Sequence, residues 1–390
     1  VILCSATPSL ESYYNHLKNK LNYLALPKRY GGAKYPIVHL VDMLKETNES
    51  GKFGQVISGL LQDKIENRLK QNEQILLLQN RRGFSPIIRC GDCGLIIMCF
   101  NCNVAISYHL KTNNLICHFC GSKKEIHDQN CIDCNSKNLI YSGTGTQKVE
   151  SLIKETFPKA RVARLDMDTS SSGGSITNIL KAFNNGEIDI LLGTQMIAKG
   201  LDFPNATLVG IINADQGLYL PDFRAGERIF QLIYQASGRS GRRSKQGEVV
   251  IQTYSPDNPV IKSAAKLNMI EYYKIALKER EELDYPPFSW LAKIEIIGNN
   301  QDEVSNLALD ISRSIHGIYK GLSILGPAPC YLEKLRNNFR FQIIFKSVKT
   351  HDPNGKKLHS FIKHNFGNTN KKYRISKGRI NIHFDPLSLI

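Results

Sequence analysis

Short aliphatic runs alternate with longer amphipathic ones through most of the chain. Ile75–Leu78, Arg161–Leu165, Ile188–Leu192, Thr207–Ile212 and Glu248–Gln252 have the length and apolarity of buried strands. Between them, apolar residues spaced by three and four predict helices over Val56–Lys70, Gln147–Thr156, Ile176–Phe183, Ala225–Ser237 and Pro259–Glu282. This alternation predicts an α/β domain, a parallel sheet covered by helices on both faces.

After Pro286-Pro287 the pattern changes. Strand-like Leu291–Ile297, helix-like Asp302–His316, strands near Leu322–Leu325 and Arg340–Phe345, a helix over Lys356–His364 and a last strand Arg379–Phe384 spell β-α-β-β-α-β. That order predicts a split βαβ sandwich, an α+β domain.

Between the first long helix and the second, the hydrophobic pattern is replaced by cysteines. Eight of the ten form C-x-x-C pairs at Cys90/Cys93, Cys99/Cys102, Cys117/Cys120 and Cys131/Cys134. The second cysteines are followed by Gly94, Asn103, Gly121 and Asn135, residues that enter the left-handed conformation such knuckles need. Eight thiolates supply two tetrahedral zinc sites, and each ion contributes on the order of 10 kcal/mol to a segment with little core. A redox C-x-x-C comes singly beside a βαβ unit, so the fourfold array favours zinc. His109, His118 and His127 lie nearby, but the cysteines already fill both sites. Four knuckles pair in three ways. The nested one, Cys90, Cys93, Cys131 and Cys134 on one ion and Cys99, Cys102, Cys117 and Cys120 on the other, closes the segment into an excursion from a host domain. Its apolar patch, Ile96-Ile97-Met98 with Phe100 and Phe119, is expected to part or guide DNA and dock partners, against the alternative of a rigid brace. Cys4 and Cys330 are expected to be ordinary core or surface thiols.

Composition adds a partner class. The 390 residues are 42% hydrophobic and 22% charged, which excludes collagen, coiled coil and wholesale disorder. No apolar run is long enough to span a bilayer and no secretory pattern opens the chain, so a cytoplasmic protein with no membrane partner is expected. The net charge of +16 points to a polyanion. Residues 285–390 carry 16 Lys and Arg against 7 Asp and Glu, +9 of that total, and residues 356–379 carry eight basic residues and no acidic one. The nucleic-acid grip is therefore expected in the C-terminal domain, through Lys371, Lys372 and Arg374 among others, and it should be salt-sensitive.

Four segments carry candidate phosphate chemistry. In Gln235-Ala-Ser-Gly-Arg239-Ser-Gly-Arg242, offsets of four and three put Gln235, Arg239 and Arg242 on one face if the helix continues that far. Two guanidiniums aimed one way suit a phosphate. Gly238 and Gly241 weaken the helix, a cost that fits close approach by another surface. The run Gly193-Thr194-Gln195-Met-Ile-Ala-Lys199-Gly200-Leu-Asp202 leads a strand into a short helix whose start can hold a phosphate and whose end releases Asp202 toward a ribose. Asn80-Arg81-Arg82-Gly83-Phe84 and Gly143-Thr144-Gly145-Thr146-Gln147 follow strands on the same expected sheet edge. Together the four suggest a polyphosphate track at the carboxyl ends of the strands.

Gly193-Thr-Gln-Met followed by Ala-Lys-Gly, and Gln235-x-x-Gly-Arg-x-Gly-Arg, resemble motifs V and VI of superfamily 2 helicases, and Ser5-Ala6-Thr7-Pro8 resembles motif III. With the eight-cysteine insertion after Asn80-Arg-Arg-Gly-Phe, the resemblance narrows to the PriA family of replication restart helicases. It covers essentially the whole chain. It implies a RecA-like lobe over 31–89 and 135–284, a remnant of the first lobe over 1–30, a two-zinc insertion over 90–134, and an S10-like domain over 285–390. The nested pairing is implied as well.

The resemblance further implies a bacterial 3′ to 5′ ATP-dependent DNA helicase that acts at abandoned forks and begins primosome assembly. Arg239 and Arg242 would reach the transferred phosphoryl group of ATP with Mg2+, oriented by Gln235, while Gly200 and Asp202 would serve the nucleotide. Arg81, Arg82, Thr144, Thr194, Gln195 and Lys199 would track DNA, branched or single-stranded. Arg336 and Arg340, in Lys334-Leu-Arg-Asn-Asn-Phe-Arg, would receive the acidic tail of single-strand DNA-binding protein, although Asn338 stands where many members have a second Arg. Helicase-loader proteins are further expected partners of a monomer. The chain holds neither a G-x-x-x-x-G-K-[ST] loop nor an Asp-Glu pair of the D-E-x-H type, so it is expected to be the C-terminal portion, inactive alone. The competing reading is a stand-alone zinc- and DNA-binding module without catalysis.

Overall fold

In this computed structural model the described residues are 1–390 except 27–33, 51–54, 80–86, 100–104, 110–113, 118–119, 126–129, 143–145, 166–172, 195–202, 242–245 and 368–377. A six-stranded sheet runs in the order Ile37–Asp42, Glu248–Thr253, Ala206–Ile211, Gln74–Leu78, Ile190–Gly193, Val162–Leu165. Every adjacent pair is parallel. Its period of two is visible in the packing. Leu76, Leu78, Leu191, Val209 and Val249 face one buried cluster, while Ile75, Leu77, Ile190, Leu208 and Val250 face the other. Helices Ala225–Ser237 and Met269–Glu282 cover the first side, and Gly59–Lys70 and Thr146–Thr156 the second. A sheet buried on both faces demands near-continuous apolar strands, which is the pattern read above.

Two departures from the predicted elements have local causes. The expected helix Pro259–Glu282 is broken into Pro259–Ala265 and Met269–Glu282. Leu267 takes a left-handed φ of 52°, and the Asn268 side chain accepts from the Glu271 amide at 3.0 Å while donating to its carboxylate, a reciprocal cap that starts a new helix. The edge strand Ile37–Asp42 carries no continuous apolar run, being only half-buried, and pairing with Glu248–Thr253 is what makes it a strand.

The opening segment docks on this domain. Ser9 caps helix Leu10–Leu17, Leu10 is fully buried in the first cluster, and Tyr13 meets Tyr273 at 4.7 Å between ring centroids.

The cysteine-rich excursion has its own five-stranded antiparallel sheet, ordered Lys123–Glu125, Asn114–Ile116, Ser107–His109, Ile87–Cys90, Leu139–Ser142. The outgoing and returning strands pair directly, Cys90 opposite Leu139. The C-terminal residues form a four-stranded antiparallel sheet in the order Leu322–Leu335, Asn338–Val348, Ser289–Gly298, Gly378–Phe384, with helices Gln301–Arg313 and Lys356–Phe366 on one face. The predicted β-α-β-β-α-β order is therefore observed. Its middle strands are one long hairpin, turned by Arg336 and Asn337 at φ of 48° and 61°, the two positive angles a tight hairpin turn requires. Among the described residues no helix is long and apolar enough to cross a membrane.

Candidate functional site

Three of the four C-x-x-C turns repeat one backbone pattern. The amides of Gly94, Gly121 and Asn135 donate back to the carbonyls of Cys90, Cys117 and Cys131, at 3.1, 2.9 and 2.9 Å. All three donors have positive φ, 77°, 75° and 59°, as their residue types predict. Asn103, after the fourth pair, lies outside the described residues. The turns converge in nested fashion. Cys90, Cys93, Cys131 and Cys134 bring their sulfurs within 4.8 Å of one another, and Cys99, Cys117 and Cys120 do the same; Cys102 lies outside the described residues.

Sulfur separations are 3.5 Å for Cys90–Cys134 and Cys93–Cys131 and 3.7 Å for Cys99–Cys120. A tetrahedral ion with sulfurs at about 2.3 Å requires separations of about 3.8 Å, so the donor sets fit a metal and are far from disulfide distance. Burial works against ionising Cys131, but the amides of Cys134 and Asp133 and the neighbouring thiols outweigh it and hold this thiol down to about 7. Once one thiolate forms its neighbours resist, and burial with those thiols pushes Cys93 up to about 12. A bound cation would favour the thiolate form of all of them. Isolated Cys330, 1% exposed, is simply a buried thiol pushed up to about 12 by desolvation.

Of the three described members of the apolar patch, two are covered. Ile96 is 8% exposed and Ile97 packs into a buried cluster with Tyr285, Leu291 and Ile344, leaving Met98 as its exposed described member. Phe100 and Phe119 lie outside the described residues.

Around the Gln235–Arg242 motif the helix ends at Ser237, before Arg239, so Gln235 and Arg239 do not share a helical face. Instead Gly238 begins a tight turn in which the Arg239 amide donates to Ala236 at 2.9 Å. The Ser240 hydroxyl sits 2.9 Å from the carbonyls of both Thr207 and Glu248, and the Gly241 amide donates to Ala206. Gly241 has no room for a side chain, because Gly247 lies against it. The close approach anticipated there is made by the chain's own backbone. Gln235 donates through Nε2 to Thr7 Oγ1 at 2.9 Å, joining the Ser5-Ala-Thr-Pro segment to this motif across 228 positions. Thr7→Val, which removes the acceptor but keeps the shape, is expected to cost about 1 kcal/mol in urea unfolding. The same change in a Gln235→Ala background should cost nothing further if the pair is what Thr7 contributes.

The proposed single track is corrected by topology. Thr194 leaves the carboxyl edge of the parallel sheet, and the loop after Gln74–Leu78 leaves the same edge. The turn at Ser240 and Gly241 is pinned to Ala206, Thr207 and Glu248, at the amino edge. The Gly143–Gln147 loop follows Leu139–Ser142, a strand of the cysteine-rich sheet rather than the parallel one. Arg81, Arg82, Thr144, Gln195, Lys199, Gly200, Asp202, Arg242, Lys371, Lys372 and Arg374 lie outside the described residues.

In the C-terminal domain, Arg336 is exposed at the hairpin turn, whereas Arg340 donates to Glu295 through Nε at 3.0 Å and to the Leu332 carbonyl. Burial raises the Glu295 carboxyl, but Arg340 outweighs it and holds it below the usual range. Sequence reasoning also missed a buried ionic knot in which Arg280 and Arg224 hold Glu11 and Glu227. Nothing local marks it, since its members come from three separate segments.

Comparison with known proteins places these features together. A conserved helicase C-terminal domain matches residues 111–244, and the primosomal protein N C-terminal domain matches residues 281–387. The replication restart protein PriA of Bacillus subtilis is 39% identical over 350 residues, 89% of this chain and 43% of that protein. The chain belongs to the PriA family. The family member from Borreliella burgdorferi is 34% identical over 393 residues, 100% of this chain and 56% of its own length. The chain thus spans about half the length of the curated PriA relatives it matches. Among solved structures, RecG bound to a three-way DNA junction gives a TM-score of 0.36 at 12% identity over 71% of this chain and 26% of that one, a likeness too loose to bear on fold or function.

Proposed function

We propose that this PriA-family chain works as the C-terminal part of an ATP-driven 3′ to 5′ DNA helicase that recognises abandoned forks and starts primosome assembly. The observation that carries this reading is the continuity of the family match: identity of 34% runs through the helicase motifs, the cysteine insertion and the C-terminal domain together. A stand-alone zinc- and DNA-binding module would not need the paired arginine motif.

In this reading the chain is the second motor lobe. Arg239 and Arg242 stabilise charge on the phosphoryl group transferred from MgATP, Gln235, itself held by its bond to Thr7, orients them, and Gly200 and Asp202 meet the nucleotide. Arg81, Arg82, Thr144, Thr194, Gln195 and Lys199 contact the DNA backbone, and Lys371, Lys372 and Arg374 add salt-sensitive affinity. The two thiol clusters hold structural zinc, which suits all-sulfur donor sets, with Cys102 as the fourth ligand of the inner one. Arg336 is the exposed residue offered to the acidic tail of single-strand DNA-binding protein, with Arg340 positioned behind it by Glu295. Helicase-loader proteins and a cytoplasmic site at forks complete the reading.

The purified chain is expected to hydrolyse no ATP, with or without DNA. In the gene-length protein, Arg239→Ala or Arg242→Ala should lower DNA-stimulated hydrolysis by roughly 10³-fold or more while ATP still binds. Hydrolysis by the chain alone, or full activity in both variants, overturns the assignment.

A further inference from the structure

The two thiol clusters touch different parts of the protein. At the outer cluster, a Cβ built on Gly94 would lie 3.0 Å from Leu44 Cδ2 and 3.8 Å from the Tyr254 carbonyl, both in the helicase lobe. At the inner cluster, a Cβ on Gly121 would lie 3.0 Å from the Pro327 carbonyl and 3.7 Å from the Ala328 side chain, both in the C-terminal sheet. These glycines are equivalent members of the repeated turn, so each cluster offers one face of the same shape to a different neighbour.

Each cluster has two buried thiols, Cys90 and Cys131 in the outer one being 1% and 5% exposed, and what differs is the apolar surface around them. Cys99 and Cys117 are 3% and 0% exposed, and with Cys120 they belong to one apolar cluster with Leu291, Ile344 and Leu325 of the C-terminal sheet. Tyr285, at the passage from lobe to C-terminal domain, and Leu389 close that cluster. In the outer cluster Cys134 is exposed, and its neighbour Ile132 is 78% exposed. The face of the C-terminal sheet opposite its own helices is thus occupied by the inner thiols and the strands beside them. Short strands and tight turns have little core of their own, so the inner wall keeps its shape only while its ligands are held together.

We infer that the two metal centres divide their work: the outer one fastens the insertion to the helicase lobe, and the inner one is the latch that holds the C-terminal domain against it. This rests on the zinc reading above. Loss of the inner ion releases the C-terminal domain without unfolding either neighbour, because the lobe and the βαββαβ sandwich each keep a separate buried cluster. Loss of the outer ion loosens the contact at Leu44 and leaves the C-terminal contact in place.

The experiment is hydroxyl-radical footprinting of the full chain, with bound zinc counted for each sample. Wild type should hold two ions, and Cys117→Ser/Cys120→Ser and Cys131→Ser/Cys134→Ser one each. In the inner variant Tyr285, 7% exposed when docked, should react about tenfold faster. The outer variant should leave Tyr285 protected and expose Leu44 and Tyr254. Ala328→Leu, which wedges the sheet off the Gly121 turn, should keep both ions yet expose Tyr285 as the inner variant does. Fewer than two ions in wild type sinks the zinc reading and the latch with it. Two ions in wild type with Tyr285 still protected in the inner variant, or identical footprints for the two double variants, overturns the latch alone.

Discussion

Arg280→Ala is expected to destabilise the lobe by about 3–5 kcal/mol, the range seen when one partner of a buried ion pair is removed. Arg280 is 4% exposed, donating to Glu11 at 2.9 Å, to Glu227 at 2.6 Å and to the Pro286 carbonyl at 3.0 Å. Glu227 is 2% exposed and also accepts from the Leu10 amide. Without the guanidinium two carboxylates share Arg224 alone, 2.8 Å from Glu11 and 3.5 Å from Glu227. The loss falls on three elements at once: the opening helix, Ala225–Ser237 and Met269–Glu282. Urea unfolding measures the total. A Glu227→Gln background should recover part of it, because the charge left unpaired is then gone. Additive losses would show that Arg280 acts through its contact with the Phe223 ring, 5.0 Å away, instead of through its pairing with Glu227.

The same knot sets an acid limit. Burial raises the Glu11 carboxyl, but Arg224 and Arg280 outweigh it and hold it below its ordinary value of 4.5. A carboxylate depressed on folding contributes stability that is fully present above its unfolded value. That contribution is lost as pH falls from about 4.5 through the lower folded value, and the loss should shrink in Arg280→Ala.

Gly241→Ala and Gly186→Ala should differ sharply although both glycines have positive φ, 66° and 76°. Around Gly186 nothing lies within 4 Å of an added Cβ, so only the left-handed backbone cost remains, about 1–2 kcal/mol. At Gly241 the same atom would fall 2.0 Å from the Gly247 nitrogen and 2.6 Å from its Cα, contacts that only a backbone shift can relieve. The cost there should exceed that at Gly186 by about 2 kcal/mol or more, judged from overpacking in general. The shift also moves the Arg239 turn, which Ser240 ties to two strands. Matched urea midpoints check the pair; equal values would mean that the turn yields freely and that Gly241 serves only its own conformation.

Much of the fold was legible because its signals are local. Leu76 and Ile75 reveal alternating layers by being adjacent and equally apolar, and Gly94, Gly121 and Asn135 announce their turns by residue type. The helix break at Leu267 was not legible, since apolar spacing continues through it and only the left-handed turn there, with the Asn268 cap that starts the next helix, separates the two. Strand Ile37–Asp42 was missed for the converse reason, having a partner strand but no pattern of its own.

By itself the sequence determined the main strands and helices of both domains, the fourfold C-x-x-C pattern and the family, all properties of neighbouring residues or of spacing along the chain. Only the tertiary structure decided what meets across it. Examples are Gln235 with Thr7, Arg280 with Glu11, the Arg239 turn at the sheet's amino edge, and the inner thiols against Leu291 and Ile344. Most of these contacts join residues tens to hundreds of positions apart. Their partners are chosen by the burial and charge pairing of the whole fold, which no local pattern encodes.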